Sequence, residues 1–392
     1  MNVVVDGYSE RWVRKGFPWV YPKEVTRGKG KSGEEVVVRA ANGDALGRGL
    51  ADEGWISVRI FRHDAGPLDR EWLDGVLDRA WAWRKRAFDQ NTTGYRLVNG
   101  ENDGLPGIRI DRWGDHVVVT LDSPAVRSLL DGIVRWLSLE LGILTVHLCY
   151  RADPRDTLDV SRVSPAPGRI HGDSTVESVQ VLERGLKFEV RPAEGPDVGL
   201  YADMRETRTW MEPLWRGRAV LNTFAYTGAF SVSAAHFGAS EVVTVDLSEK
   251  ILERAKLNFE LNGLSASQYE FGAEDTFKAL DRFRRKGRSF DAIVLDPPSF
   301  SHGPGGTWSA VKDYARLVAA ACRVLSKDGL LITACNLGEL SPHKFQGEVE
   351  DGFRRAERVA QEVWRGSQSL DFPAASWFPE GRYLKVSVWR MA

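Results

Sequence analysis

A chain of 392 residues is too long for one ordinary domain, and its 43% hydrophobic and 27% charged residues are those of a globular protein with more than one core to bury. A formal net charge of −1 gives no global attraction to nucleic acid, and no apolar run approaches the roughly 18 residues of a membrane span. Three scattered cysteines (Cys149, Cys322, Cys335), with no C-x-x-C pair and no His cluster, speak against a disulfide framework and against a metal, and the opening MNVVVDGYSERWVRK lacks the features of a signal peptide, so a cytoplasmic protein with no membrane partner is expected.

Residues 1–68 alternate in short runs (EEVVVRA, WISVRIFR) around Gly-rich turns such as NGDALGRG, the pattern of a small all-β barrel. Inside this part, residues 11–31 carry seven Lys/Arg against one Glu, interleaved with Trp12, Phe17, Trp19 and Tyr21. Such a stretch suits phosphate contacts with base stacking, or equally a solvated basic loop whose aromatics belong to a core. Residues 69–195 read as an α+β block: the amphipathic helix LDREWLDGVLDRAWAWRKRAFD, strands YRLVN, IRIDRWG and HVVVTLD, the helix AVRSLLDGIVRWLSLELG, and strands ending near KFEVRP. In residues 196–392 strand and helix alternate. RAVLNTF, EVVTVD, FDAIVLD and GLLITAC are apolar throughout, as strands of a parallel sheet covered on both faces are, and SEKILERAKLNFELNG is a helix with Ser248 as its N-cap and Gly263 at its end. This third part is predicted to be doubly wound α/β.

A doubly wound sheet binds its ligand outside the carboxyl ends of the strands, where the strand order reverses. There the first strand runs into Asn222-Thr223-Phe224-Ala225-Tyr226-Thr227-Gly228-Ala229-Phe230, a small-residue turn that lets a ligand approach the backbone and a helix N-terminus. Asn222, Phe224, Tyr226, Thr227 and Gly228 are therefore cofactor-binding candidates. The second strand ends in Asp246, 24 residues beyond Asn222, an acid placed to accept both hydroxyls of a ribose, with Ser248 beside it. Asp275, in GAEDTF, falls where an adenine amino group would sit. The turn lacks the glycines of G-x-G-x-x-G, and the fourth strand ends in Asp296-Pro297-Pro298, which presents a carboxylate and carbonyls on a stiff loop. Both features favour S-adenosylmethionine (SAM) over a dinucleotide.

With these motifs in view, the chain resembles the bacterial family of large-subunit ribosomal RNA cytosine-5 methyltransferases with an N-terminal PUA domain. The likeness runs through NGENDGLPGIRIDRWGD (99–115), GLYADMRETR (199–208), VLNTFAYTGAFSVSAA (220–235), VVTVDLSEKILERAKLNFELNG (242–263), LDPPSF (295–300) and FPEGRYLK (378–385), nearly the whole chain. It implies a PUA β-barrel, a central α+β domain and a C-terminal Rossmann-like SAM-dependent methyltransferase domain. The implied partner is ribosomal RNA of the large subunit (23S), with a homodimer as a further option. The resemblance also implies that Asp203 and Arg205 help enclose the cofactor or active site, that Asp246 holds the ribose and that Asp275 lies near the adenine.

The implied chemistry turns on Cys335. Carbon 5 of cytosine is a poor nucleophile, so enzymes of this class first add a thiolate at carbon 6, and loss of the carbon-5 proton after methylation expels the enzyme. Cys335 ends the strand GLLITAC, where the family has its nucleophile in a Ser-Cys-Ser-like element, and Asp296 matches the residue that holds the cytosine edge at nitrogen 3. Departures are Ala334 and Asn336 in place of serines beside Cys335, and Ser299 where other cytosine-5 enzymes carry a further cysteine after Asp-Pro-Pro. A buried core thiol is the competing account of Cys335, while Cys149 and Cys322 read as packing. Two other functions stay open: methylation of a purine ring nitrogen in ribosomal RNA, which needs no thiol, and a non-catalytic RNA-binding or ribosome-assembly factor.

Overall fold

Alternating burial builds the first sheet of the computed structural model, which describes every residue except 152–164, 174–175, 196 and 304–305. Strands β1 (Asn2–Val5), β2 (Trp19–Val20), β3 (Val25–Arg27), β4 (Glu35–Arg39), β5 (Ala45–Ala51) and β6 (Val58–Arg62) lie in the order β2-β6-β5-β4-β1-β3. Val36 and Val38 of β4 point inward with Val3, Val5, Val20, Val58 and Ile60. One helix, α1 (Gly7–Val13), interrupts the expected all-β pattern. Asp6 caps it by accepting from the Ser9 N–H at 2.8 Å, and Val13 is buried, so a short cap and one apolar anchor suffice where no helical period is visible.

The chain divides into two units: Met1–Arg184 with Val190–Val198 and Leu370–Gly381, and Gly185–Glu189 with Gly199–Ser369 and Arg382–Ala392. The expected boundary at 195/196 adjoins Pro196, which lies outside the described residues. Within the first unit follow α2 (Arg70–Ala87), β7 (Gly94–Asn99), β8 (Ile108–Trp113), β9 (His116–Leu121), α3 (Leu130–Leu141), β10 (Thr145–Tyr150) and β11 (Gly168–His171), with a second sheet ordered β11-β10-β9-β8-β7. Asp69 caps α2, accepting from the Trp72 N–H, and α3 ends on Gly142 in the left-handed conformation. Leu73, Val76 and Leu77 of α2 and Ile133, Trp136 and Leu137 of α3 pack on Leu97, Ile108, Ile110, Val117, Val119 and Val146 of that sheet. β12 (Val179–Glu183) belongs to the first unit, and β13 (Leu186–Val190) takes all but its last residue from the second.

The second unit contains α4 (Arg205–Met211), β14 (Ala219–Thr223), α5 (Ala229–His236), β15 (Glu241–Asp246), α6 (Glu249–Leu261), β16 (Glu270–Ala273), α7 (Thr276–Arg285), β17 (Phe290–Leu295), β18 (Phe300–Gly303), β19 (Gly306–Ser309), α8 (Ala310–Cys322), β20 (Leu325–Cys335), α9 (Pro342–Arg355), β21 (Ala360–Gly366) and β22 (Lys385–Met391). Its seven-stranded sheet runs β16-β15-β14-β17-β20-β22-β21. The pairs from β16 through β20 are parallel, with Leu221, Val243, Ile293 and Leu331 wholly buried in a continuous core. β22 and β21 depart from the parallel expectation: β22 pairs antiparallel with both β20 and β21, since its chain enters the sheet from the opposite end. The reversal brings the start of β22 to the end of β20, against the carboxyl edge.

Candidate active site

The strand order reverses at β14, which has β15 on one side and β17 on the other. The turn after β14 is bent by its backbone. Phe224 (φ +53°), Tyr226 (φ +51°) and Gly228 (φ +78°) are all left-handed. For the two non-glycine residues that conformation costs about 1–3 kcal/mol each, so the surroundings must impose it. They do so with specific bonds. Ala225 N–H donates to Val245 O (3.0 Å), and Tyr226 N–H donates to Asp246 Oδ2 (2.9 Å). Thr227 Oγ1 donates to Gly199 O, and Asn258 Nδ2 donates to Thr227 O (2.9 Å). A Cβ on Gly228 would come within 3.0 Å of Ala255 Cβ, so the turn lies close on α6.

Asp246 stands half-buried at the end of β15, with Oδ1 accepting from the Ser248 N–H at 3.1 Å. Ser248 itself caps α6, and Asp275 caps α7 by accepting from the Lys278 N–H at 3.1 Å. Asn222 lies deeper, 2% exposed, and donates to Ser231 Oγ (2.9 Å), which also takes the Thr244 hydroxyl (2.8 Å). Asn222 and Thr227 are buried and brace the turn, while Phe224, Tyr226 and Asp246 are only half-buried. Sequence reasoning missed Leu247, 55% exposed next to Asp246, and Tyr201, whose ring lies 5.0 Å from that of Tyr226. For Leu247 the available signal was an apolar residue directly after the acid that ends β15.

A second group gathers at the ends of β17 and β20. Burial, then the neighbouring Asp203 carboxylate, pushes Asp296 up to about 7, with Arg208 pulling the other way. Asp203 takes a hydrogen bond from the Tyr383 hydroxyl (2.8 Å), and Arg205 is fully buried at the start of α4. Cys335 is 2% exposed. Burial pushes its thiol up and the Asp296 charge adds to that, whereas the Leu337 N–H bond and Lys385 pull it down. The Tyr314 hydroxyl, buried on α8, sits 2.8 Å from Ala334 O and 3.2 Å from Leu295 O and accepts from the Ala334 N–H (3.0 Å), tying the ends of β20 and β17 together. Ser299 Oγ donates to Asn336 Oδ1 at 2.6 Å, so two of the positions that depart from the family pattern bond to each other and join the Asp-Pro-Pro loop to the turn after Cys335. Tyr383 and Lys385 lie in the FPEGRYLK tract that carries the resemblance but, like Tyr314, were not named as site residues from the sequence.

In the first unit the basic-aromatic segment divides. Arg11, Arg14, Lys15, Lys23, Arg27, Lys29 and Lys31 are all exposed, as is Trp12, with Lys15 Nζ 5.1 Å from its ring centroid. Phe17, Trp19 and Tyr21 instead pack in a ring cluster with Trp55, and Phe378 joins it against Phe17 and Trp19. Among the described residues no helix is long and apolar enough to cross a membrane, and no group of three His, Cys, Asp or Glu is arranged to hold a metal ion.

A family model described as S-adenosylmethionine-dependent methyltransferase matches residues 159–373, and one described as PUA-like domain matches residues 3–63. Ribosomal RNA large subunit methyltransferase I of Shewanella denitrificans is 35% identical over 97% of both chains, and that of Aliivibrio fischeri 33% identical over 96% of both. A solved structure described as a methyltransferase complexed with SAH shares the fold over 100% of both chains, with a TM-score of 0.89 at 24% identity. With the family model across more than half of its length and relatives 33–35% identical over nearly all of it, the chain belongs to the SAM-dependent methyltransferases and carries a PUA-like domain.

Proposed function

We propose that this enzyme methylates carbon 5 of a cytosine in large-subunit ribosomal RNA, in the cytoplasm, with Cys335 as its nucleophile. The relatives are named for ribosomal RNA of the large subunit. The exposed cations of residues 11–31 suit its phosphates. Residues 1–68 would serve RNA binding and 196–392 methyl transfer, with 69–195 as a separate α+β part. The observation that carries the cytosine reading is a thiol at the carboxyl end of β20, on the edge that also carries Asp296.

The residues fit SAM. Each Asp246 oxygen accepts one backbone N–H and has a lone pair to spare for a ribose hydroxyl. The turn 224–228 would face the methionine part and Leu247 an adenine ring, with Asp275 near its amino group. SAM, when bound, supplies a sulfonium methyl group. A carboxyl whose proton affinity is raised to about 7, as that of Asp296 is, can donate its proton to cytosine nitrogen 3, draw electron density from carbon 6, and take the proton back when the double bond is restored. Cys335 would add to carbon 6, stay bonded while carbon 5 is methylated, and leave when the carbon-5 proton is lost to water. Tyr314 and the Ser299–Asn336 bond hold the two loops in register for this.

One observation favours a second reading. Cys335 is 2% exposed with its thiol pushed up, as a packing cysteine would be, and a purine ring nitrogen needs no thiol. Transfer assays with Cys335→Ala separate the two. Under the cytosine reading the variant binds SAM but transfers nothing, and RNA carrying 5-fluorocytosine traps the wild-type protein covalently, because fluorine cannot leave as the proton does. Near wild-type methylation by Cys335→Ala, with no adduct in the wild type, would remove the cytosine reading and leave the purine one to be read from the methylated nucleoside.

A further inference from the structure

Strand pairing sets Cys335 directly opposite Lys385 in the antiparallel ladder of β20 with β22. Opposed residues in such a ladder send their side chains to the same face, with Cβ atoms about 4.5–5.5 Å apart. Lys385 is only 8% exposed, and its Nζ donates to the carbonyl of Leu337, the residue whose N–H bonds the Cys335 sulfur. The ammonium is thereby held at the turn on which the thiol rests. Burying an ammonium is costly unless an opposite charge answers it. Burial pushes Lys385 down, no carboxylate among the described residues acts on it, and the group that favours its protonated form is Cys335. Among the described residues, the other ionisable groups coupled to the thiol are Asp296 from the end of β17, which opposes negative charge on sulfur, and the Tyr314 hydroxyl from α8.

We propose that Lys385 is a positioning residue for the nucleophile, its ammonium balancing the negative charge on the Cys335 sulfur before attack and again on expulsion. The inference rests on Cys335 being the nucleophile. The thiol proton first passes to solvent. The sulfur then bonds to carbon 6 as the carbon 5–carbon 6 electron pair moves to carbon 5, which takes the methyl group. Loss of the carbon-5 proton to water restores the double bond and returns the pair of the sulfur–carbon bond to Cys335. Lys385 keeps its proton throughout. Burial pushes the thiol up, and a positive charge opposite it reduces the cost of forming the thiolate.

A purely structural lysine would serve only as a donor to Leu337 O, which an amide can replace, so Lys385→Gln keeps the donor and removes the charge. The experiment follows iodoacetamide alkylation of the Cys335 peptide by mass spectrometry against pH, beside the pH profile of methyl transfer, with SAM binding as the check on folding. In Lys385→Gln the alkylation midpoint and the acid limb of the transfer profile are expected to move up by about one pH unit, and Lys385→Arg to return most of that shift. If Lys385→Gln does not bind SAM, Lys385→Met, whose apolar chain suits the buried stem, takes its place. A folded neutral variant with both profiles unmoved overturns the role of Lys385 while leaving Cys335 in place. Near wild-type transfer by Cys335→Ala removes the nucleophile itself and the inference with it.

Discussion

Replacing Asp246 by alanine tests the cofactor side of the site directly. The carboxylate would accept two ribose hydroxyls, and a hydrogen bond to a charged group is worth roughly 1.5–3 kcal/mol. Its loss corresponds to about a 10- to 150-fold weaker Kd for SAM. The structure adds a second contribution of the same sign. Asp246 Oδ2 holds the Tyr226 N–H at 2.9 Å, and that bond helps keep Phe224 and Tyr226 at positive φ. Without it the turn can relax toward ordinary φ values, and SAM must then re-impose a conformation costing about 1–3 kcal/mol per residue. The weakening should therefore reach the top of that range or exceed it. Titration calorimetry on wild type and Asp246→Ala measures it, with a thermal melt to show that the variant is folded. A folded Asp246→Ala protein with unchanged SAM affinity would refute both the ribose role and the account of the turn.

Asp296 is raised to about 7 in the folded protein against an ordinary carboxylate value of 3.8. The folded state thus binds the extra proton between these values, so this group makes the fold lose stability as pH rises from about 4 to about 7, by up to about 4 kcal/mol. Asp296→Asn should be more stable than wild type above neutrality and level with it in acid, read from denaturation midpoints against pH, while transfer falls by about 10²- to 10⁴-fold. A variant no more stable than wild type at alkaline pH would show that Asp296 ionises without penalty. On the first unit, Arg11→Gln with Lys15→Gln should weaken RNA binding and lower its salt slope by about 0.7–0.9 for each phosphate no longer neutralised, with SAM affinity unchanged. An unchanged slope in filter binding would assign these exposed cations another task.

Much of the catalytic part is legible along the chain because its signals are local. The apolar run of β15 ends at Asp246, and Ser248 caps the following helix through the Ile251 N–H. Gly263 (φ +71°) closes the same helix, as the sequence predicts. A strand period, a cap and a left-handed glycine are each encoded in a few consecutive residues. The left-handed turn after β14 was legible as small residues but not as strain, since Phe224 and Tyr226 take positive φ only because Val245, Asp246 and Asn258 hold the turn there. The segment at 11–31 left stacking and core packing open, and contacts with Trp55 and Phe378 decide for packing at Phe17, Trp19 and Tyr21 while Trp12 stays 40% exposed. The reversal of β22 likewise decides what Cys335 faces. No periodicity in KVSVWRM states that Lys385 will lie opposite a thiol, because register between strands distant in sequence is set by the packing of the whole sheet. The same holds for Asp296, whose elevated proton affinity sums burial with the charges of Asp203 and Arg208, groups that only the folded chain brings to one place.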